Sequence, residues 1–176
     1  MVGMRELARH EIRSIWTIDR SEIIEATYRL KDGVLVLTAD PHDVRGWPGD
    51  LPAEKTPVFE AGHDRGDWFC GLFDGSRLVG IAILGHCLFG EASQFLQLKF
   101  FYVDKALRQM GLGKALFEAA TREARNRGAR RLYISATPTQ NTVDFYLHRG
   151  CRLLETPDPV LFDEEPDDLH LDYALG

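Results

Sequence analysis

A chain of 176 residues, 44% hydrophobic and 27% charged, has enough apolar content for one sizeable core, and a single domain over residues 1–176 is expected. Its net charge of −6 and the dispersal of its Lys and Arg argue against a nucleic-acid binder, whose phosphate contacts need clustered cations. The longest apolar runs, such as Leu78 to Leu84, are too short to span a bilayer, and no apolar run near the start is followed by a small-residue cleavage site. A cytoplasmic protein without membrane contact is therefore expected. Cys70, Cys87 and Cys151 lack zinc-ligand or redox spacing, so buried free thiols are expected, with Cys151 packing in the core. No pair among the six His has ligand spacing, and no metal is expected.

In chain order, Ala8, Ile12, Ile15 and Trp16 fall on one side of a helix, which predicts an amphipathic helix from Glu6 to about Arg20. Ala26 to Lys31 and Val34 to Thr38 flank Asp32-Gly33, a tight-hairpin signal. Pro41 to Pro52 reads as loop, and Thr56-Pro57 as the cap and first residue of a short helix. Trp68 to Phe73 and Arg77 to Leu84 read as strands joined by Asp74-Gly75. In the strand from Gln94 to Val103, Leu96, Leu98, Phe100 and Tyr102 alternate with Phe95, Gln97, Lys99, Phe101 and Val103, giving one wholly apolar face and one mixed face able to border a cleft. Leu112, Ala115, Leu116, Ala119, Ala120 and Ala124 form one stripe of a helix that Gly128 can end. Arg131 to Ala136 is the next strand, Asn141 to Arg149 a short helix, and Cys151 to Leu154 and Leu169 to Ala174 the last strands; Pro157 to Asp168 reads as an exposed acidic connection. An α+β fold with a mostly antiparallel sheet follows.

Between the central strand and the striped helix lies Arg108-Gln109-Met110-Gly111-Leu112-Gly113-Lys114. Glycines let backbone approach a ligand, helix-start N–H groups meet an anion with the positive end of the dipole, and Arg108 and Lys114 can add charge. The third glycine of a dinucleotide fingerprint is missing, and the loop is not a Walker A sequence. Arg-x-x-Gly-x-Gly in this context resembles motif A of the GNAT N-acetyltransferase superfamily. A second block, Leu132 to Ala136, Asn141, and Phe145-Tyr146 to Gly150-Cys151, is similar to that superfamily's later strand, helix and closing turn. The resemblance covers about Asp67 to Leu154, the expected coenzyme A-binding core. Residues 1–66 match loosely and form the expected variable, acceptor-side region, and 155–176 an acidic connection and final strand.

The resemblance implies the GNAT fold, with a sheet splayed between the strands Gln94 to Val103 and Arg131 to Ala136 and a bulge that would alter the alternation locally. It implies acetyl-CoA as cosubstrate, its pyrophosphate on residues Arg108 to Lys114 and its pantetheine arm beside Val103 and Asn141. The backbone of Phe101 would face the thioester carbonyl, and Tyr146 would be the general acid for the leaving thiolate. On residue type alone, Tyr146 also fits plain core packing, and Asn141 a helix N-cap. Some family members carry a glutamate base where this chain has Gln97, which cannot accept a proton at neutral pH. Asp19, Glu22, Glu25 and His86 remain as bases acting through water, and none is assigned. The expected function is direct acetyl transfer to a primary amine of a small cationic molecule or a protein, with Asp19, Glu22, Glu25 and Gln97 on the acceptor side. The alternative is a non-catalytic acyl-CoA-binding module of the same fold. A monomer or homodimer is expected.

Overall fold

The computed structural model describes residues 1–176. Its centre is a seven-stranded sheet in the order β1-β4-β5-β6-β7-β9-β8, with β2 (Glu22–Lys31) and β3 (Val34–Val44) forming a separate hairpin. The sheet strands are β1 (Val2–Glu6), β4 (Trp68–Asp74), β5 (Arg77–Leu84), β6 (Phe95–Val103), β7 (Arg131–Ala136), β8 (Arg152–Leu153) and β9 (Leu169–Ala174). Only β6 and β7 run parallel; every other pairing in the sheet is antiparallel. Four α-helices accompany them: α1 (Leu51–Asp64), α2 (Leu112–Asn126), α3 (Gln140–Leu147) and α4 (Pro159–Glu164). No helix is long and apolar enough to cross a membrane.

The two faces of the sheet carry separate apolar clusters. α2 and α3 cover one, setting Leu116, Phe117, Ala120 and Tyr146 on Leu96, Leu98, Leu132 and Ile134. The N-terminal segment and α1 cover the other, with Ile12, Ile15 and Phe59 over Phe69, Ile81 and Ile83. Each large side chain so buried contributes about 1.5–3 kcal/mol. The α2 face follows directly from the apolar stripe.

Four sequence expectations change. The predicted first helix is instead β1 followed by 3-10 turns over Arg9–Thr17. The buried residues Ile12, Ile15 and Ile18 recur every third position, the period at which a 3-10 helix aligns its side chains. Glu11 reaches back to the Ala8 N–H at 2.9 Å and fixes the entry. The hairpin turn at Asp32-Gly33 stands as read, both residues having positive φ (49° and 78°) as a two-residue turn requires. β3 nevertheless runs on to Val44 through the stretch read as loop. Ala39 pairs with Ala26 and His42 with Ile24, so Asp40-Pro41 is a bulge opposite Glu25, where a proline costs no ladder bond.

α1 begins six residues before the predicted start region, with Asp50 as N-cap and Pro52 in the first turn. Pro57 lies inside the helix, and Thr56, rather than capping, is buried, bonding the Pro52 carbonyl and accepting the Trp16 indole N–H at 2.8 Å. The acidic connection after Pro157 is not wholly exposed coil. It contains α4, capped by the Asp158 carboxylate, which accepts from the N–H groups of Val160 and Leu161. The Asp158 N–H donates to the Tyr133 hydroxyl, which also bonds His170, tying this segment to the sheet.

Candidate active site

The β6 and β7 ladder runs from Phe95↔Arg131 to Leu98↔Ile134 and stops, although β6 continues to Val103. From Lys99 onward β6 has no strand on its β7 side. On its other side Leu98 pairs with Leu84 and Phe100 with Ile83, so Lys99 is an extra residue in the ladder. This bulge inverts the later alternation. Leu96 and Leu98 share the α2 face with Phe101 and Val103, whereas Phe100 and Tyr102 turn to the opposite face. The single apolar face read from strict alternation is thus corrected by one residue.

Asp104 ends the strand and is buried. Its carboxylate accepts from the N–H groups of Ala106 and Asp19, both at 3.1 Å, and pairs with Arg77. The signal for it was present in sequence, an Asp directly before a short turn. It anchors the glycine loop. There Gln109 and Gly111 have φ of 64° and 80°, and the N–H groups of Gln109, Met110, Gly111, Leu112, Gly113 and Lys114 find no acceptor in the protein. They precede and open α2, an arrangement suited to an anion. A Cβ on Gly111 would meet nothing, so its glycine serves the left-handed backbone; a Cβ on Gly113 would meet the Phe145 ring at 3.1 Å, so this glycine also lets α2 approach α3.

The loop's side chains are disposed less simply. Arg108 turns inward, its Nε donating to the Val103 carbonyl at 3.1 Å and Nη1 to the Ser21 carbonyl at 3.3 Å, with Glu22 at 3.9 Å. It holds the loop against the N-terminal segment. Lys114 lies in solvent near Glu118, and Met110 is exposed.

Asn141 is the second residue of α3, whose N-cap is Thr139, so the capping alternative falls; its amide donates to Glu22 at 2.7 Å. Tyr146 is buried against Phe101 and Phe117, with ring centroids 6.3 and 6.0 Å away. Its hydroxyl makes no hydrogen bond within the chain, and burial pushes its ionisation well above the usual phenol value. Burial likewise pushes the Cys151 thiol up to about 12 and Cys70 to about 11, so neither is a thiolate nucleophile at neutral pH.

The acidic trio read as an acceptor wall is dispersed. Asp19 accepts the Ser21 N–H at 2.8 Å, and the Ser21 side chain first, then this N–H, hold its carboxyl below the ordinary value. Glu22 faces Asn141 and Arg108, and Glu25 is exposed on the outer hairpin opposite the bulge. Asp168, part-buried before β9, is the carboxylate under strain: burial first, then Glu165 and Asp167, push it up to about 6, and its charge is felt at Tyr102 and Tyr146. Arg20 lies over the rings of Trp47 and Tyr102 at 5.2 and 5.6 Å.

Gln97 lines a cleft of about 350 Å³ with His86, Lys99, Phe89, Asp158 and Val160. Its carbonyl accepts the Gly85 N–H at 2.9 Å, which places His86 beside it across the end of β5. The buried Asp67 carboxylate receives His86 Nδ1 at 2.5 Å, the His86 N–H at 2.8 Å and Lys99 Nζ at 2.8 Å. Burial opposes ionisation of Asp67, but the bonds from Lys99 and His86 outweigh it and hold the carboxyl below its usual value. This cluster was not legible beforehand, because its three members lie far apart in the chain. No group of His, Cys, Asp and Glu is disposed to hold a metal ion.

The acetyltransferase (GNAT) family model matches residues 36–151. No curated protein matches the sequence. Among solved structures, nourseothricin acetyltransferase is 20% identical, covers 99% of each chain and gives a TM-score of 0.75. A Bacillus anthracis protein assigned as a streptothricin acetyltransferase, in complex with acetyl coenzyme A, is 16% identical over 98% of this chain and 96% of its own, with a TM-score of 0.72. The ribosomal-protein-S18-alanine N-acetyltransferase from Escherichia coli is 16% identical, and the match covers 100% of this chain and 95% of its own with a TM-score of 0.63. At these identities the solved structures establish a shared fold.

Proposed function

Because the chain belongs to the acetyltransferase (GNAT) family, we propose that it carries an acetyl group from acetyl-CoA directly to a primary amine of a small cationic molecule or a protein. The observation that carries the coenzyme half is the run of unpaired N–H groups from Gln109 to Lys114 beside the open edge of β6. The pyrophosphate sits on that run, where the start of α2 meets its charge. Val103 and Asn141 accompany the arm, and Asn141 exchanges its bond to Glu22 for one to the coenzyme.

At the splay the acetyl carbonyl approaches the backbone of Phe101, whose N–H can stabilise the oxyanion without demanding a particular side chain. The C–N bond forms, the C–S bond breaks, and the departing thiolate takes a proton from Tyr146, the phenol otherwise without a partner. A phenol with a raised ionisation is a weaker acid than a thiol, so the transfer is driven by the same burial, which destabilises the departing thiolate's charge as it does the phenolate's. No acyl-enzyme is needed, consistent with the unreactive buried Cys151.

For the acceptor, the uncompensated carboxylate of Asp168 favours a cation. Two of the similar structures bear names of antibiotic acetyltransferases and a third that of a ribosomal-protein acetyltransferase. The test is free-thiol release from acetyl-CoA over a panel of amines, including polyamines, aminoglycosides, streptothricin-like compounds and lysine peptides. Release that depends on one cationic amine supports the reading; acetyl-CoA that binds and stays intact with every amine supports a binding module instead.

A further inference from the structure

We propose that His86, oriented by Asp67, is the catalytic base that removes the proton from the acceptor's ammonium group. The inference rests on the amine-transfer reading above and supplies the proton acceptor which Gln97 cannot be.

The bond from Nδ1 to the ionised Asp67 carboxylate makes Nδ1 the protonated nitrogen and leaves the Nε2 lone pair free, with no partner in the chain. Asp67 is fixed in turn by the His86 N–H and by Lys99 Nζ, so the ring stands on a buried, fully engaged carboxylate. The location is as specific as the geometry. Lys99 is the bulged residue at which β6 parts from β7, and Gly85 N–H bonds Gln97, so the dyad stands at the head of the splay and in the same cleft as Gln97.

The charged and titratable groups facing the ring are Asp67 before β4, Lys99 on β6, Asp158 at the start of α4 and the neighbouring Cys87. Arg127 of α2 bonds the Gly66 carbonyl nearby and is paired with Glu123. Lys99 and Asp67 offset each other's charge, which leaves the imidazole neutral company and Asp158 to attract the ammonium. In the step, R–NH3⁺ gives one proton to Nε2, forming R–NH2 and an imidazolium. The amine then forms the C–N bond as the C–S bond breaks; Tyr146 gives its proton to the thiolate and is restored by the second proton shed from the nitrogen, and the imidazolium releases its own proton to water.

The experiment pairs kinetics with histidine ¹⁵N NMR. His86→Gln should lower kcat/KM at neutral pH about 10²–10⁴-fold and abolish the acidic limb of its pH profile. The deficit should shrink as pH approaches the amine's own ionisation, and acetyl-CoA affinity should hold. In the unaltered protein the His86 ring should be the Nδ1–H tautomer, and Asp67→Asn should shift that tautomer balance and the acidic limb together. A wild-type pH profile in His86→Gln, or an Nε2–H tautomer in the unaltered protein, would overturn the assignment. Absence of turnover by the unaltered protein with every amine would overturn the amine-transfer reading itself, a result distinguishable from either.

Discussion

The loop before α2 presents unpaired backbone donors, whereas the cleft beside Gln97 presents side chains. At the loop the N–H groups from Gln109 to Lys114 are unpaired while Arg108 turns inward and Lys114 outward. In the cleft His86, Asp67 and Lys99 fix one another through bonds of 2.5 and 2.8 Å. Backbone recognition depends on glycine spacing and helix position, both local properties of the chain. Side-chain recognition depends on which distant residues the fold brings together, so the two regions differ in what a substitution can reach.

The largest effect is expected at the proposed acid on α3. Tyr146→Phe keeps the buried ring and removes the proton, so kcat should fall about 10²–10⁴-fold with coenzyme affinity unchanged. Steady-state kinetics beside calorimetry decides it; lost affinity at normal kcat would make Tyr146 a packing residue.

Asp168→Asn probes the acceptor side through stability. The carboxyl is raised from 3.8 to about 6 in the folded protein, so folding favours its protonated form. Its penalty is absent below about pH 4, develops between there and about pH 6, and is complete above. The amide should therefore stabilise the protein by about 3 kcal/mol at alkaline pH and by nothing at acid pH, while raising KM for a cationic acceptor. Urea unfolding at the two extremes checks this, and an equal gain at both would refute it.

Gly111→Val addresses the loop alone. A β-branched residue resists φ of 80° and brings a side chain to the anion site, so acetyl-CoA should bind at least about tenfold more weakly, roughly 1.4 kcal/mol. Unchanged affinity in a folded variant would remove the pyrophosphate from this loop. The smallest effect belongs to Glu25→Gln, since Glu25 lies exposed on the hairpin; the salt dependence of kcat/KM should not change.

The same division explains what the sequence made legible. The strand, loop and helix from β6 to α2, the hairpin turns and Tyr146 on α3 are short-range patterns, and they stand in the structure as read. The alternation of β6 failed at Lys99 because a bulge is a property of two strands, and the partner here is β5. The first helix failed because a threefold apolar spacing at Ile12, Ile15 and Ile18 also fits part of a helical stripe. Asp67, His86 and Lys99 carry no mutual signal in sequence. Asp19, Glu22 and Glu25 show the converse: close spacing suggested a wall, but a turn and a strand send them to different places.

Chemical-shift mapping with two ligands tests the division most directly. Acetyl-CoA should shift the amides from Gln109 to Lys114, and a cationic amine identified by thiol release should shift those of His86, Gln97, Lys99 and Asp168 while leaving the loop still. An amine that maps onto the loop, or acetyl-CoA that leaves Gln109 to Lys114 unmoved, would contradict the account.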